Sequence, residues 1–160
     1  MKEKIKEFSG YIIIILVVVL IRAFVVTPIR VNGASMESTL KNGDYMILKK
    51  CDKDYSRYDI VVIKRGKDKL IKRIIGLPKE DIEYKENTLY IDGQEKEDKN
   101  RIGYTYDFKD YCKEDEYYVL GDNREDSTDS RIIGCVSKED ILGTTSFRIF
   151  PFNKFGNVSE

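Results

Sequence analysis

Ser35 and Lys72 are the residues of this chain whose types together offer a nucleophile and a base. A serine hydroxyl is a weak nucleophile until a neighbouring base removes its proton. The sequence contains no histidine, so a Ser-His-Asp relay is excluded and a catalytic zinc ion would lack its commonest ligand. A lysine can be the base only if burial lowers its pKa from ~10.4 toward ~7–8. The composition therefore favours hydrolysis by a lysine-activated serine.

The local sequence around both residues suits this chemistry. Lys72 lies within the apolar segment 70–75, and on a β-strand it would share a face with two apolar neighbours. Ser35 follows two small residues, Gly33 and Ala34, which let a substrate backbone approach closely. The backbone N–H of Ser35 is then a natural donor to an oxyanion. Taken singly, an ordinary loop serine and a surface lysine are the simpler interpretations, so the prediction depends on their combination.

An apolar segment before the serine predicts a transmembrane anchor over residues 8–29. As a helix it would span ~33 Å, close to the roughly 30 Å of a bilayer core. Arg22 would have to lie near the interface, where its long side chain reaches the headgroups, and Pro28 would end the helix. The alternative is a cleavable signal peptide, but the apolar run is long and cleavage near Ala34 would fall at the nucleophile.

The charges on either side of this segment predict its orientation. Lys2, Lys4 and Lys6 precede it, which places residues 1–7 in the cytoplasm by the positive-inside rule. Residues 30–160 would then form an extracytoplasmic catalytic domain of a single-pass plasma-membrane protein.

Bulk composition narrows the classes of partner and cofactor. The 28 basic and 28 acidic residues cancel, so no net basic field attracts nucleic acid. Cys51, Cys112 and Cys135 form no CxxC pair and cannot build a four-ligand zinc site. The odd count favours three thiols, although one disulfide is possible outside the cell. We expect no metal and no cofactor.

Beyond Pro28 the pattern changes to short β-branched and aromatic runs separated by turn residues. This pattern predicts a mostly β domain, an antiparallel sheet or barrel-like structure. The charged stretch 94–101 predicts a solvated loop. Helical turns are expected only at 114–116 and 138–141, and strands at 44–49, 58–64, 70–76, 81–84, 88–91, 116–120 and 142–150.

Three blocks in this order closely resemble the type I signal peptidases, the Ser-Lys proteases that remove signal peptides from exported proteins. They read GASMESTL at 33–40, KRIIGLP at 72–78 and GDNREDSTDSR at 121–131, and the resemblance extends over about residues 31–151. It implies that Ser35 is the nucleophile and Lys72 the general base. It further implies that Ser127 hydrogen-bonds and orients the lysine, and the supporting residues that brace the site are Asp129, Arg131 and Arg73.

The resemblance also implies the substrate and its binding mode. Signal-peptide-bearing preproteins would bind as an extended strand beside the two catalytic residues, by β-augmentation. Shallow apolar pockets lined by Val31, Met36 and Leu40 would accept small side chains at the −1 and −3 positions. Membrane lipid is the other expected partner, and the sequence indicates no oligomeric state.

Two departures from the family pattern stand near the nucleophile. Ser38 occupies a position where the family usually has proline. Gly33 stands where some relatives carry a serine that helps to bind the oxyanion, and in this it is like many compact Gram-positive members. Alternatives to a general signal peptidase are a peptidase dedicated to one surface or fibre substrate, or a catalytically silent tethered scaffold. A self-cleaving Ser-Lys repressor is disfavoured because the N-terminus is apolar rather than a basic DNA-binding domain.

Overall fold

The computed structural model describes residues 2–158; for 2–9, 21, 23 and 24 only the backbone is described. The side chains of Lys2, Lys4 and Lys6, on which the predicted orientation depends, therefore lie outside the described part. So do residues 1, 159 and 160, at the ends of the predicted domains.

The described chain consists of one long helix followed by short strands and turns. The helices are α1 (Lys2–Phe24) and α2 (Ser130–Ile133), with 3-10 turns at Lys138–Asp140 and Phe152–Lys154. The strands are β1 (Val26–Arg30), β2 (Tyr45–Lys49), β3 (Ile60–Arg65), β4 (Asp68–Gly76), β5 (Asp81–Lys85), β6 (Thr88–Ile91), β7 (Gln94–Lys96), β8 (Phe108–Tyr111), β9 (Glu116–Leu120), β10 (Val136–Ser137), β11 (Ile141–Phe150) and β12 (Gly156–Asn157).

These strands form two antiparallel sheets, which confirms the prediction of a mostly β domain. The larger sheet has the order β1-β2-β11-β3-β4-β9-β10, with β12 beside β11. The smaller sheet has the order β7-β6-β5-β8. The seven predicted strands all form, two of them with the predicted bounds and the others with ends shifted by at most two residues. Each carries the apolar and β-branched pattern of a half-buried strand.

The N-terminal helix differs from the prediction at its C-terminal end. It ends at Phe24 rather than near Pro28, and Val26–Arg30 pairs with β2 instead. Proline is tolerated there because β1 is the edge strand of its sheet, where a missing N–H breaks no ladder. Within the described residues, no helix is long and apolar enough to cross a membrane, so the predicted span is not confirmed.

The sequence pattern did not predict the short, mostly polar strands or the short helix α2. The predicted solvated loop 94–101 in fact begins with β7, which pairs with β6, and β8, β10 and β12 were not predicted. Helix α2 was also missed, and the expected turn at 114–116 contains no helix. These segments are two to four residues long and depend on a neighbouring strand or a cap rather than on their own periodicity.

The cysteines also differ from the prediction. Cys112 and Cys135 form a disulfide with a Cα–Cα distance of 5.7 Å, so the expectation of three thiols is wrong. Cys112 is buried in the core between the two sheets, and Cys135 packs against that core. The pairing follows from sheet contacts between segments 23 residues apart, which spacing alone did not indicate. Cys51 is exposed.

One of three apolar cores holds the segment that follows β1. Met36 is 1% exposed and Leu40 0%, and both pack with residues of β2 and β3 in a core of Val31, Met36, Leu40, Met46 and Ile60. Because Met36 directly follows Ser35, its burial fixes the backbone of that serine against the larger sheet.

Candidate active site

Ser35 lies at the start of a compact turn just after β1. The Glu37 N–H donates to the Ala34 carbonyl at 3.0 Å, and the Leu40 N–H donates to the Met36 carbonyl at 2.8 Å. Gly33 adopts φ +94°, a left-handed conformation that favours glycine, and its N–H donates to Asn42 Oδ1 at 3.1 Å. The serine is half-buried and held on both sides by fixed backbone.

Lys72 lies in the middle of β4 and reaches the serine from the sheet. Its side chain is buried, and Nζ lies 2.6 Å from Ser35 Oγ. Burial lowers the pKa of Lys72 from 10.5 to about 8, although the carboxylates of Asp129 and Asp122 act in the opposite direction. With a pKa of about 8, roughly a tenth of this amine is neutral at pH 7 and can accept a proton, far more than at the ordinary lysine pKa.

Asp129, which is buried, forms an ion pair with the half-buried Arg131 beside the two catalytic candidates. Arg131 Nε donates to Asp129 Oδ1 at 2.8 Å, and the Gly121 N–H donates to Oδ2 at 3.0 Å. Burial alone would raise the pKa of Asp129, but the hydrogen bonds from Arg131 and Gly121 outweigh it and lower that pKa. Asp129 also caps α2, since it accepts from the Arg131 N–H at 3.3 Å.

Ser127 lies close to the serine but not in the arrangement that the resemblance implied. Its buried hydroxyl forms no hydrogen bond with any described group, Lys72 included. The Ser127 hydroxyl lies near enough to Asp129 to help lower the pKa of that carboxyl, although the two groups do not form a hydrogen bond. A hydroxyl torsion is set by small local differences in packing, which a motif does not encode.

Arg73 points to the opposite side of β4 from Lys72 and ties two segments together. Its guanidinium pairs with Asp122 through two bonds, Nε to Oδ1 at 2.8 Å and Nη2 to Oδ2 at 2.7 Å. The Thr39 hydroxyl donates to the same carboxylate at 2.5 Å. Arg73 thus joins the end of the serine turn to the loop after β9, and both charges of the pair are buried.

That loop contacts the serine directly through its backbone. The Asn123 N–H donates to the Ser35 carbonyl at 3.1 Å, a contact that the sequence did not indicate. Gly121 packs against the same carbonyl so closely that a side chain has no room: a Cβ there would lie 2.5 Å from the Ser35 carbonyl oxygen and closer still to Ser127 Oγ.

Gly121→Ala should therefore displace the Ser35 backbone. We expect kcat/KM to fall at least tenfold and stability to fall by about 1–3 kcal/mol, the usual cost of overpacking. Peptide cleavage and thermal unfolding measure the two effects. Gly10→Ala is the control, because the same methyl group would meet nothing within 4 Å there. An active Gly121→Ala enzyme would show that this contact does not fix the serine.

The sequence did not reveal a second buried cluster, because its members are far apart in the chain. Arg124 donates to the Gly121 carbonyl at 2.9 Å and to Asp98 at 2.9 Å, and it also bonds the Tyr84 hydroxyl. Asp98 belongs to the stretch predicted as solvated, yet its side chain is only 8% exposed. The cluster joins the smaller sheet to the loop that contacts the serine. In the sequence, its one signal was the charged residue Arg124 within the block at 121–131.

A cleft of about 600 Å³ opens beside the serine and the lysine. One wall is the segment Pro28–Asn32 and the other is Lys67–Lys72. Val31 and Met36 line this cleft, whereas Leu40 lies in the core beneath and is not among the lining residues. Leu40 therefore supports the wall from behind rather than forming it.

Both walls present strand edges to the cleft. β1 is the outermost strand of its sheet, and β4 pairs with β9 only from Arg73 onward. Among the described strands, Asp68–Lys72 therefore pairs only with β3, leaving its other edge toward the cleft. Strand edges of this kind can hydrogen-bond an extended peptide.

A serine hydroxyl beside a buried amine, at the end of a peptide-sized cleft in a β domain, is the arrangement that a serine peptidase with a lysine base would need. The family model "Signal peptidase, peptidase S26" matches residues 5–150. The chain thus belongs to the type I signal peptidases, family S26.

Individual relatives agree with this family. Signal peptidase IB of Staphylococcus aureus (strain COL) is 34% identical over 97% of this chain and 94% of its own length. Signal peptidase I P of Bacillus subtilis subsp. natto is 37% identical over 95% and 92%. The crystal structure of a signal peptidase I from Enterococcus faecalis V583 superposes with a TM-score of 0.53 and 33% identity, covering 57% of this chain and 96% of that one. The fold is that of a signal peptidase I, and a serine peptidase activity follows from the family.

Proposed function

We propose that this chain is a membrane-bound endopeptidase that removes N-terminal signal peptides from exported preproteins, with Ser35 as nucleophile and Lys72 as general base. The observation that carries the proposal is the 2.6 Å distance between Ser35 Oγ and the buried Lys72 Nζ. Among the described hydrogen bonds, this is the one that joins a lysine amine to a serine hydroxyl.

The acylation step uses the neutral amine. Lys72 accepts the hydroxyl proton as Ser35 Oγ attacks the scissile carbonyl carbon, and negative charge develops on the carbonyl oxygen. The Ser35 N–H donates to no described group, so it is available to that oxygen. Lys72 then gives its proton to the leaving amine, and the mature protein departs.

Deacylation reuses the same base. A water molecule loses its proton to Lys72 and attacks the ester carbonyl, and the protonated lysine returns the proton to Ser35 Oγ. The released product is the signal peptide with a free carboxylate. The Asp129–Arg131 pair and the Arg73–Asp122 pair support these steps indirectly, since they fix the loop that contacts Ser35.

The substrate would lie between the edges of β1 and β4. Buried Val31 and Met36 close the wall next to the serine, which leaves room for small side chains at −1 and −3.

A preprotein with alanine at −1 should be cleaved, and the same preprotein with phenylalanine at −1 should lose at least a hundredfold in kcat/KM because the ring has no pocket to enter. Mass spectrometry of the products identifies the cleaved bond; efficient cleavage after phenylalanine would refute the proposed specificity.

Helix α1 is proposed to hold the catalytic domain at a membrane. Its large side chains from Tyr11 to Leu20 are 46–67% exposed, an apolar surface that water does not favour. With the basic residues before it on the cytoplasmic side, the catalytic domain lies outside the cytoplasm.

This topology predicts that protease added to intact protoplasts digests the catalytic domain. A C-terminal tag reports the digestion by immunoblot, and a cytoplasmic protein in the same sample serves as the control for intactness. Protection of the tag until the protoplasts are lysed would reverse the orientation.

A further inference from the structure

A groove of about 470 Å³ next to the substrate cleft carries an excess of positive charge. Five lysines line it against two carboxylates, although the chain as a whole is neutral. We call it the lysine groove; its charged lining residues are Lys50, Lys53, Lys64, Lys67, Lys69, Asp68 and Glu139.

The register of the β3–β4 hairpin concentrates part of this charge. Lys64 and Lys69 are direct cross-strand partners, so their side chains project from the same face. Like charges placed directly opposite each other destabilise a strand pair unless an anion lies between them. Lys67 adds a third charge in the turn. Among the carboxylates whose side chains the structure describes, from Glu37 to Asp140, none forms an ion pair with Lys53, Lys64, Lys67 or Lys69.

The groove lies directly below the C-terminal end of α1. Thr27, one of its lining residues, donates its hydroxyl to the Arg22 carbonyl at 3.0 Å. Lys50 donates to the same carbonyl at 3.3 Å, and its N–H donates to the Val25 carbonyl at 2.9 Å. The groove is thus hydrogen-bonded to the last turn of the helix whose exposed side chains are apolar.

We propose that the lysine groove binds the phosphate headgroups of anionic phospholipids. The inference rests on the proposed contact of α1 with lipid: if Tyr11–Leu20 lies among acyl chains, the end of α1 reaches the headgroup layer, and the groove lies there with it. A phosphate between Lys64 and Lys69 would remove their mutual repulsion, and several lysines acting together attract an anionic surface.

This binding would also orient the active site. Lys67, Asp68 and Lys69 line both the groove and the substrate cleft, so headgroups in the groove hold the mouth of the cleft at the membrane surface. A signal peptide emerging from the bilayer would then enter the cleft without leaving that surface.

The test compares how the full-length chain partitions between two kinds of vesicle, one of zwitterionic phosphatidylcholine and one containing phosphatidylglycerol. The ratio of the two partition coefficients cancels the apolar contribution of α1, which both vesicles share. The variant is Lys53→Gln/Lys64→Gln, which avoids the walls of the substrate cleft. The control, Lys85→Gln/Lys109→Gln, removes the same charge from exposed positions on the smaller sheet.

The wild-type ratio should favour the anionic vesicles and should fall at least fivefold in the groove variant, since each basic side chain near such a surface contributes roughly fivefold. The control variant should keep the wild-type ratio, and 1 M salt should abolish the preference because screening then acts over about 3 Å.

Equal losses in the two variants, or none in either, would overturn the assignment. So would an unchanged ratio together with a raised KM for preprotein in non-ionic detergent, which would mean that the groove binds an acidic peptide. Cleavage by Ser35 is measured in detergent without lipid, so these failures leave the proposed chemistry standing. Absence of binding to both vesicles would refute the membrane contact of α1 and the groove assignment with it.

Discussion

Ser35→Ala should reduce preprotein cleavage by on the order of 10⁴-fold or more, the scale seen when a peptidase loses its nucleophile. The alanine side chain has no oxygen to form the acyl-enzyme, and the Lys72 amine 2.6 Å away then has no hydroxyl to deprotonate. The change deletes one half-buried hydroxyl, so stability should fall by only about 1 kcal/mol. Gel assay of a purified preprotein and thermal unfolding of the same samples measure both.

Ser38→Ala is the matched control. The exposed Ser38 hydroxyl is three residues away in the same turn and donates to the Asn100 carbonyl at 3.4 Å. The Lys72 amine, by contrast, hydrogen-bonds Ser35. We expect activity within threefold of wild type, which corresponds to about 0.7 kcal/mol at most. If Ser35→Ala cleaved at a rate close to that of Ser38→Ala, the nucleophile would have to be another group.

Sequence patterns predicted the strands that carry their own apolar signal. Residues 81–84 alternate between polar and apolar side chains, 88–91 are rich in β-branched and aromatic residues, and the hairpin β5–β6 forms there. Val26–Arg30 was missed because an apolar β-branched segment after an apolar helix has the same composition as more helix. What decides between the two is pairing with β2, a contact with residues about twenty positions later that periodicity cannot detect.

In the site, too, local sequence signals predicted some residues, whereas contacts between distant segments were not predicted. Ser35 and Lys72 were predicted from residue type and block order, and they lie within hydrogen-bond distance although 37 residues separate them. The link from Arg124 to Tyr84 spans 40 residues and joins the loop after β9 to the smaller sheet, and no local signal marks it. Buried polar networks depend on the relative placement of whole elements, which the sequence specifies only through folding.

The free edge of β4 likewise depends on contacts between distant segments of the chain. β4 offers a free edge to the cleft only because β9 begins its pairing at Arg73, one residue beyond Lys72. That register positions the lysine at the point where a substrate strand would replace a sheet strand. Block order predicted that the two residues act together, whereas the register that gives them a substrate needs the structure.

Lys72→Arg should be about as inactive as Lys72→Ala, at least a thousandfold below wild type in kcat/KM. Arginine keeps the positive charge but cannot lose its proton in this pH range, so it cannot accept the hydroxyl proton. Its longer planar head group would also have to fit a site where the lysine is only 2% exposed. An electrostatic role for Lys72 would instead let arginine rescue activity.

The pH dependence provides the second measurement. Because burial lowers the pKa of Lys72 to about 8, wild-type kcat/KM should rise with pH through about 8 and then level off. The profile is recorded between about pH 6 and pH 10, which brackets the lowered and the ordinary lysine values. Lys72→Arg should show no such rise, and an arginine variant with wild-type activity and an unchanged alkaline rise would mean that another group is the base.

Stability offers a test of the same pKa that does not depend on activity. The folded pKa lies near 8 and the unfolded one near 10.5, so between these values the unfolded chain binds more protons than the folded one. The free energy of unfolding of the wild type should therefore rise with pH in this window relative to Lys72→Met, which carries no proton there. Denaturant unfolding of both proteins at about pH 7.5 and pH 9.5 measures the difference. A constant difference would mean that the Lys72 amine keeps an ordinary pKa in the fold, and the buried amine would then be protonated and unable to act as the base at neutral pH.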